Sequence, residues 1–419
     1  MEAYEIRGGR PLSGAVTIHG AKNSALPILA ACACISGTCR IDNCPDIADV
    51  DTAIAILSHL GCRAWREGRA VLVDAAGLCR CDVPQVLMGG MRSSVLFLGA
   101  LLTRCGSAEL AAPGGCSLGC RPIDLHLWAA EALGASWWCE GERLLCRAGT
   151  MAGCRLELRC PSVGATENAL LMALGCPGTT VIANAAREPE IADLVRFLRA
   201  MGARVTGEDT AELTVEGCAP LHGGDYLVMP DRMETATYLC AVAGCGGELL
   251  LRGARPETLE AVTDALSRAG CRLEREAGGL RAAAPPRLQP PGCVITRPYP
   301  GFPTDAQAPL MAAVIRAGGT TGFVETIFEN RLRHAEQLCR LGADITQYGA
   351  RAVVRGVRQL RSTELCATDL RCGAALVIGA LQAEEVSRVT GIGHIRRGYE
   401  DLAAGLRGIG ADIALTAEA

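Results

Sequence analysis

Six times along this 419-residue chain a helical stretch ends in an apolar residue, then Gly, then Ala or Cys: Leu60-Gly61-Cys62, Leu133-Gly134-Ala135, Met201-Gly202-Ala203, Ala269-Gly270-Cys271, Leu341-Gly342-Ala343 and Ile409-Gly410-Ala411. The glycines stand 73, 68, 68, 72 and 68 residues apart. A glycine just past a helix supplies the left-handed turn that closes it, so one such triplet carries little information. Six at near-constant spacing mark a repeated unit. In four copies a further glycine (Gly37, Gly178, Gly246, Gly318) lies 24 residues earlier, at the end of a preceding helix. Each unit then reads strand, helix, strand, helix, strand, strand. Units of about 70 residues are too large for a solenoid repeat, so sets of them are expected to close around buried helices.

Only nine residues follow Gly410, too few for two strands. The segment Tyr4-Glu5-Ile6-Arg7 is a strand candidate with no unit of its own, and pairing it with the C-terminal end completes the sixth unit. The expected organisation is α/β, with two domains of three units each. Residues 22–229 form the first and carry the loop 113–122; residues 1–21 plus 230–419 form the second. Two domains also suit the length, because single cores stop growing at about 250–300 residues.

The formal net charge is −4, no Lys/Arg-rich block occurs and aromatic residues make up 4%, which argues against a nucleic-acid footprint. No apolar run approaches the ~18 residues that span a bilayer, and Met1-Glu2-Ala3-Tyr4-Glu5 lacks the basic and apolar regions of a signal peptide. A cytoplasmic protein without membrane partners is expected. The 23 cysteines are odd in number in a chain long enough to bury a core without staples. Cys32, Cys34, Cys240 and Cys372 lie in apolar runs and read as small buried hydrophobes. With no C-x-x-C pair and no His-x₃-His cluster, a metal is not expected.

One lysine, Lys22, stands against forty arginines. A compact ammonium and a planar guanidinium differ most where a small anion is met at a point, although one lysine can also survive by chance. Lys22 precedes the apolar run Ser24 to Ile35 and so sits at a helix start, where free N–H groups and the positive dipole end suit an anion. At the same offset in other units lie Ser162-Val163, Asp231 and Arg371, with Arg92, Asp305 and Asp369 nearby. Helix capping accounts for Asp231, Asp305 and Asp369 without function. It does not account for Lys22, Arg92 or Arg371, whose charges oppose the dipole. The second unit carries four extra residues within Pro113 to Pro122, a loop with three glycines, Cys116 at its tip and Arg121 beyond. Such a loop suits a lid, and Cys116 is either a reactive thiol or one more loop cysteine, as Cys120 is.

Together these residues resemble those of the enolpyruvyl transferases. The likeness runs over the whole chain and is carried by Gly20-Ala21-Lys22-Asn23-Ser24, Pro113 to Asp124, Pro161-Ser162-Val163-Gly164-Ala165-Thr166, Asn184 to Glu190, Gly301-Phe302-Pro303-Thr304-Asp305, Phe328-Glu329-Asn330-Arg331, Ala367-Thr368-Asp369-Leu370-Arg371 and Arg397-Gly398-Tyr399-Glu400. The resemblance implies two inverse α/β barrels, each of three βαβαββ units, with the active site in the interdomain cleft. It implies transfer of the enolpyruvyl group of phosphoenolpyruvate to the 3′-hydroxyl of UDP-N-acetylglucosamine with release of phosphate, the first committed step of peptidoglycan synthesis. Lys22, Arg121 and Arg397 match the family's cations for phosphate and carboxylate. Cys116 matches its proton donor, the point of attack of fosfomycin-type inhibitors, and Asp305 its base, with Asp369 among the catalytic positions. Acceptor contacts would come from Asn23, Arg92, Arg121, Pro122, Ile123, Asp124, Leu125, Cys160, Pro161, Ser162, Val163, Ile327, Arg331 and Arg371, along with Lys22, Asp305 and Arg397.

Two positions depart from the pattern. Cys160 stands where some relatives place a lysine, and Arg396 where relatives often have aspartate. The nearest rival reading is transfer to shikimate 3-phosphate on the same fold. That acceptor brings its own phosphate and needs no loop cysteine. A catalytically silent regulator is a third reading, against which Lys22, Cys116 and Asp305 all remain in place.

Overall fold

The computed structural model describes residues 2–111 and 123–417. They divide into two compact units, residues 20–111 with 123–229 and residues 2–19 with 230–417. All six repeat glycines take the left-handed backbone, with φ between 91° and 100°, so the sequence period is also a conformational period. Of the earlier glycines, Gly37, Gly178 and Gly246 also have positive φ but Gly318 does not. There the 3-10 turn Val314–Arg316 extends the helix Thr304–Ala313, and the reversal falls one residue later, at Gly319.

Each unit holds three four-stranded sheets built to one plan: an edge strand parallel to its neighbour, then two antiparallel strands. The order Arg155–Glu157, Thr179–Ala183, Glu212–Glu216, Arg204–Thr206 is typical. In the sheet of the first repeat the parallel edge strand is His222–Leu227, which pairs with Ser36–Asp42. The last segment of that unit thus lies beside its first, and the unit closes on itself. Leu12–Thr17 does the same in the other unit, beside Gly247–Arg252. The sixth sheet runs Glu364–Cys366, Val386–Thr390, Glu2–Arg7, Asp412–Ala417, with Tyr4 opposite both Val389 and Leu415. The N-terminal strand takes the place that the last strand of each repeat fills in the other five sheets.

Helices follow from the same arithmetic. In residues 230–417, Arg232–Cys245, Thr304–Ala313 and Leu370–Ala380 pack on one another, and the last is buried from Arg371 through Ala380. A helix enclosed on all sides has no polar face, which is why these stretches read as continuous Ala, Cys, Leu and Val. The second helix of a repeat can bury one stripe only, as Glu260–Arg268 buries Val262, Ala265 and Leu266, although Pro189–Ala200 is buried along most of its length. Small residues let the inner helices approach. A methyl group on Gly99 would meet the Asn168 carbonyl at 2.8 Å. Cys32, Cys240 and Cys372 are buried as expected, and Cys34 lies just beyond its helix, also buried. No helix among the described residues is long and apolar enough to cross a membrane.

Two inner helices carry an internal proline as their sixth residue, Pro27 in Lys22–Cys32 and Pro309 in Thr304–Ala313. Proline has no N–H, so the carbonyls four residues earlier, of Asn23 and Asp305, receive no helical hydrogen bond. Each lies on the first turn, beside a charged side chain singled out above.

Candidate active site

Residues 230–417 bring three of the expected side chains into direct contact. Asp305 Oδ1 accepts from Arg331 Nη2 at 2.6 Å, and Oδ2 accepts from Arg371 Nη2 at 2.9 Å and Nε at 3.1 Å. The arginine side chains are 3% and 5% exposed, the aspartate 29%. A carboxylate bonded through both oxygens to buried guanidiniums is fixed in direction. Arg371 Nη1 donates to the Tyr399 hydroxyl at 3.1 Å. Thr237 donates its proton to the Met233 carbonyl, so the 2.7 Å bond between Thr237 and Tyr399 is donated by the phenol. Burial opposes the charge of Arg371, but the Asp305 carboxylate, with Tyr399 and Asp231, raises its pKa overall.

Capping explains two of the three aspartates as expected. Asp231 accepts from the N–H groups of Met233 and Glu234, and Asp369 from those of Arg371 and Cys372. Asp305 corrects that expectation: the cap position of its helix is Pro303, and the Asp305 carboxylate faces the two arginines instead. Beside it, Glu325 accepts from Thr304 Oγ1 and from the N–H groups of Ile327 and Phe328, holding half-exposed Ile327 at the start of the same helix. Arg397 ends the 3-10 helix Ile392–Arg397 and is partly buried. The departure at Arg396 has a local use: its guanidinium pairs with Glu2 of the N-terminal strand. Both side chains are more than 40% exposed, so this pair adds about 1 kcal/mol at most.

In residues 20–229, Lys22 opens its helix without a side-chain cap, and its ammonium lies 2.6 Å from Asp49 Oδ2. Asp49 is 3% exposed and sits in the first turn of the helix Ala48–His59. Its carboxylate offsets the unfavourable meeting of a cation with a helix N-terminus. Asn23 is exposed, and Ser24 donates to buried Asp193, which also accepts from Tyr226 and the Met229 N–H. Arg92 begins the 3-10 helix Arg92–Leu96, which packs against both Lys22–Cys32 and Val163–Ala173. Ser162 caps the latter by accepting from the Ala165 N–H, while Pro161 and Val163 are partly buried and Cys160 is exposed. Ile123 and Leu125 are partly buried and Asp124 exposed, at the start of the helix Asp124–Ala132. Cys116, Arg121 and Pro122 lie outside the described residues.

His126 ties these segments together and had no sequence signature beyond being one of six scattered histidines. Asn168 Nδ2 donates to its Nδ1 at 2.6 Å while also reaching the Val95 carbonyl, and Gly164 lies against its ring. Burial first, then the charge of Arg92, push His126 down to about 4. In the other unit burial likewise holds His334, three residues past Arg331, at about 4. Both folded values lie below the ~6.5 of an unfolded histidine. Below pH 6.5 the unfolded chain therefore binds more protons, and the stability each neutral ring contributes is lost as pH falls toward 4. From pH 8 to pH 5 the loss is about 2 kcal/mol per ring. Urea unfolding of wild type and His126→Gln at those two pH values should show the stability gap between them narrowing by about that amount. A gap independent of pH contradicts the neutral, buried assignment.

Comparison with known proteins follows the same outline. The family model EPSP synthase (3-phosphoshikimate 1-carboxyvinyltransferase) matches residues 6–406. The chain is 44% identical over 413 residues to UDP-N-acetylglucosamine 1-carboxyvinyltransferase 2 of Caldanaerobacter subterraneus subsp. tengcongensis, covering 99% of both chains. It is also 44% identical over 421 residues to UDP-N-acetylglucosamine 1-carboxyvinyltransferase of Dichelobacter nodosus, covering 100% of both. Among solved structures, the enolpyruvyl transferase NikO from Streptomyces tendae superposes with a TM-score of 0.91 at 29% identity, over 100% of this chain and 99% of that one. EPSP synthase from Acinetobacter baumannii superposes at 0.75 over the full length of both chains, with 18% identity, a likeness of fold.

Proposed function

Since the chain belongs to the EPSP synthase family and has its two-domain α/β architecture, we propose that it is a transferase moving the enolpyruvyl group of phosphoenolpyruvate to the 3′-hydroxyl of UDP-N-acetylglucosamine, with release of phosphate, in cytoplasmic peptidoglycan synthesis. The observation that carries the choice of acceptor is 44% identity over 99–100% of the chain to proteins named for that acceptor. No metal or organic cofactor enters the scheme.

In this reading Lys22, Arg121 and Arg397 hold the phosphate and carboxylate of phosphoenolpyruvate, guanidiniums along edges and the ammonium at a point. The Cys116 thiol gives its proton to the methylene carbon, and the adjacent carbon becomes electrophilic. The sugar 3′-oxygen adds there while its proton passes to Asp305. Phosphate then leaves, and the methyl carbon returns a proton to the Cys116 thiolate, which restores both the double bond and the thiol. Asp305 suits the receiving role. Two buried guanidiniums hold its carboxylate in one orientation, and the hydroxyl proton passes to it as the new C–O bond makes that proton acidic. Arg371 and Arg331 position it, and Tyr399 and Thr237 position Arg371. Asn23, Arg92, Ser162, Val163, Ile327 and the segment 121–125 are assigned to the sugar nucleotide, with Cys160 and Pro161 beside it.

Mass spectrometry of the two-substrate reaction should find the sugar nucleotide enlarged by one enolpyruvyl group. Fosfomycin, an epoxide, should label wild type at Cys116, and Cys116→Ser should lose both label and turnover while Cys120→Ser loses neither. Equal labelling after Cys116→Ser removes the thiol from its proposed role.

A further inference from the structure

At the far ends of two inner helices of the 230–417 unit lies a cavity of about 150 Å³ whose lining includes Gly244, Leu288, Ala317 and three arginines, Arg287, Arg316 and Arg358. The helix Arg232–Cys245 begins beside Asp231 and ends here. At ~1.5 Å per residue its 14 residues hold the cavity about 20 Å from the Asp305 cluster's end of the unit. No Asp or Glu lines it.

The three guanidiniums come from three different segments and differ in what holds them. Arg287 is anchored, donating from Nε to the Arg316 carbonyl at 3.1 Å and from Nη2 to the Ala317 carbonyl at 3.4 Å. Arg316 and Arg358 make no side-chain hydrogen bond or ion pair among the described residues. The thiol of neighbouring Cys245 supplies no counter-charge, because burial pushes it up to about 12 and it stays neutral. Elsewhere the arginines of this chain are commonly matched with carboxylates, as Arg281 is with Glu248 and Glu276. Three cations around one concavity without an anion repel one another, and a bound anion relieves that repulsion.

We propose that this cavity is a second anion site, remote from the Asp305 cluster, for a small phosphate-bearing dianion. Guanidinium forks match phosphate oxygens, and a tetrahedral phosphate offers oxygens in three directions where a carboxylate offers one plane. A water fills about 30 Å³ of liquid, so the space admits a phosphate with a short carbon chain lying on Leu288 and Ala317.

The test is equilibrium dialysis of the full chain against labelled inorganic phosphate and, separately, glycerol 3-phosphate, with wild type, Arg316→Gln/Arg358→Gln, and Arg351→Gln as a surface control. The double variant should bind one equivalent fewer than wild type, or bind that equivalent at least about tenfold more weakly per guanidinium lost. Its turnover at low phosphate and its circular dichroism should be unchanged, and the control should match wild type. Tighter binding of glycerol 3-phosphate assigns the site to phosphate monoesters, and equal binding assigns it to free phosphate. Identical stoichiometry and affinity in wild type and double variant, or an equal loss in Arg351→Gln, overturns the proposal. Because the site is counted by binding, failure here leaves the proposed reaction untouched.

Discussion

Asp305→Ala is expected to lower kcat by about 10²–10⁴-fold and to destabilise the protein by about 2–3 kcal/mol. The second figure comes from the partners left behind. Arg331 and Arg371 are 3% and 5% exposed and would lose the carboxylate that bonds both. Removing one member of a fully buried ion pair costs about 3–5 kcal/mol, and the 29% exposure of Asp305 lets water recover part of it. The first figure is the usual worth of a positioned general base. Asp305→Asn separates the two effects. The amide keeps an acceptor oxygen for a guanidinium but cannot take the proton, so stability should partly return while kcat stays low. Asparagine activity within about threefold of wild type would leave Asp305 a structural ion-pair partner and nothing more.

Lys22→Arg is expected to preserve the fold and raise KM for phosphoenolpyruvate by about 10–100-fold, the worth of one charge-assisted hydrogen bond. The reason is geometric. The ammonium reaches buried Asp49 at 2.6 Å from the first position of its helix while remaining 12% exposed. A planar fork in that space turns its donors toward the carboxylate and away from a ligand. Lys22→Ala should add a loss of stability, since Asp49 is then left buried without its ammonium. Steady-state kinetics over a range of phosphoenolpyruvate concentrations decides the matter. Near-normal KM and kcat in Lys22→Arg would make the single lysine an accident of composition.

Much of the fold was legible because its devices are local and repeated. Each repeat glycine must reverse the chain at the same point, and all six do so within a 9° range of φ, 91° to 100°. The place of Glu2–Arg7 followed from counting strands, since the sixth repeat falls short by one. Helix starts were legible as well, and with them Lys22, Ser162, Asp231 and Asp369. What the sequence did not show was which charges meet. Asp305 looked like a cap because aspartates at helix starts usually are, whereas its partners lie 26 and 66 residues further along the chain. Asp49 gave no sign of facing Lys22, and Thr237 no sign of facing Tyr399, because a hydrogen bond across 162 residues leaves no spacing to read. His126 reads as an ordinary position on an amphipathic helix until its packing against Gly164 and Asn168 is seen.

The most direct measurement is phosphate release from phosphoenolpyruvate by the purified protein, with UDP-N-acetylglucosamine, with shikimate 3-phosphate, and with neither. Release that requires UDP-N-acetylglucosamine is the predicted result. Release with shikimate 3-phosphate instead, or with no acceptor preference at all, contradicts the reaction assigned to Cys116, Asp305 and Lys22.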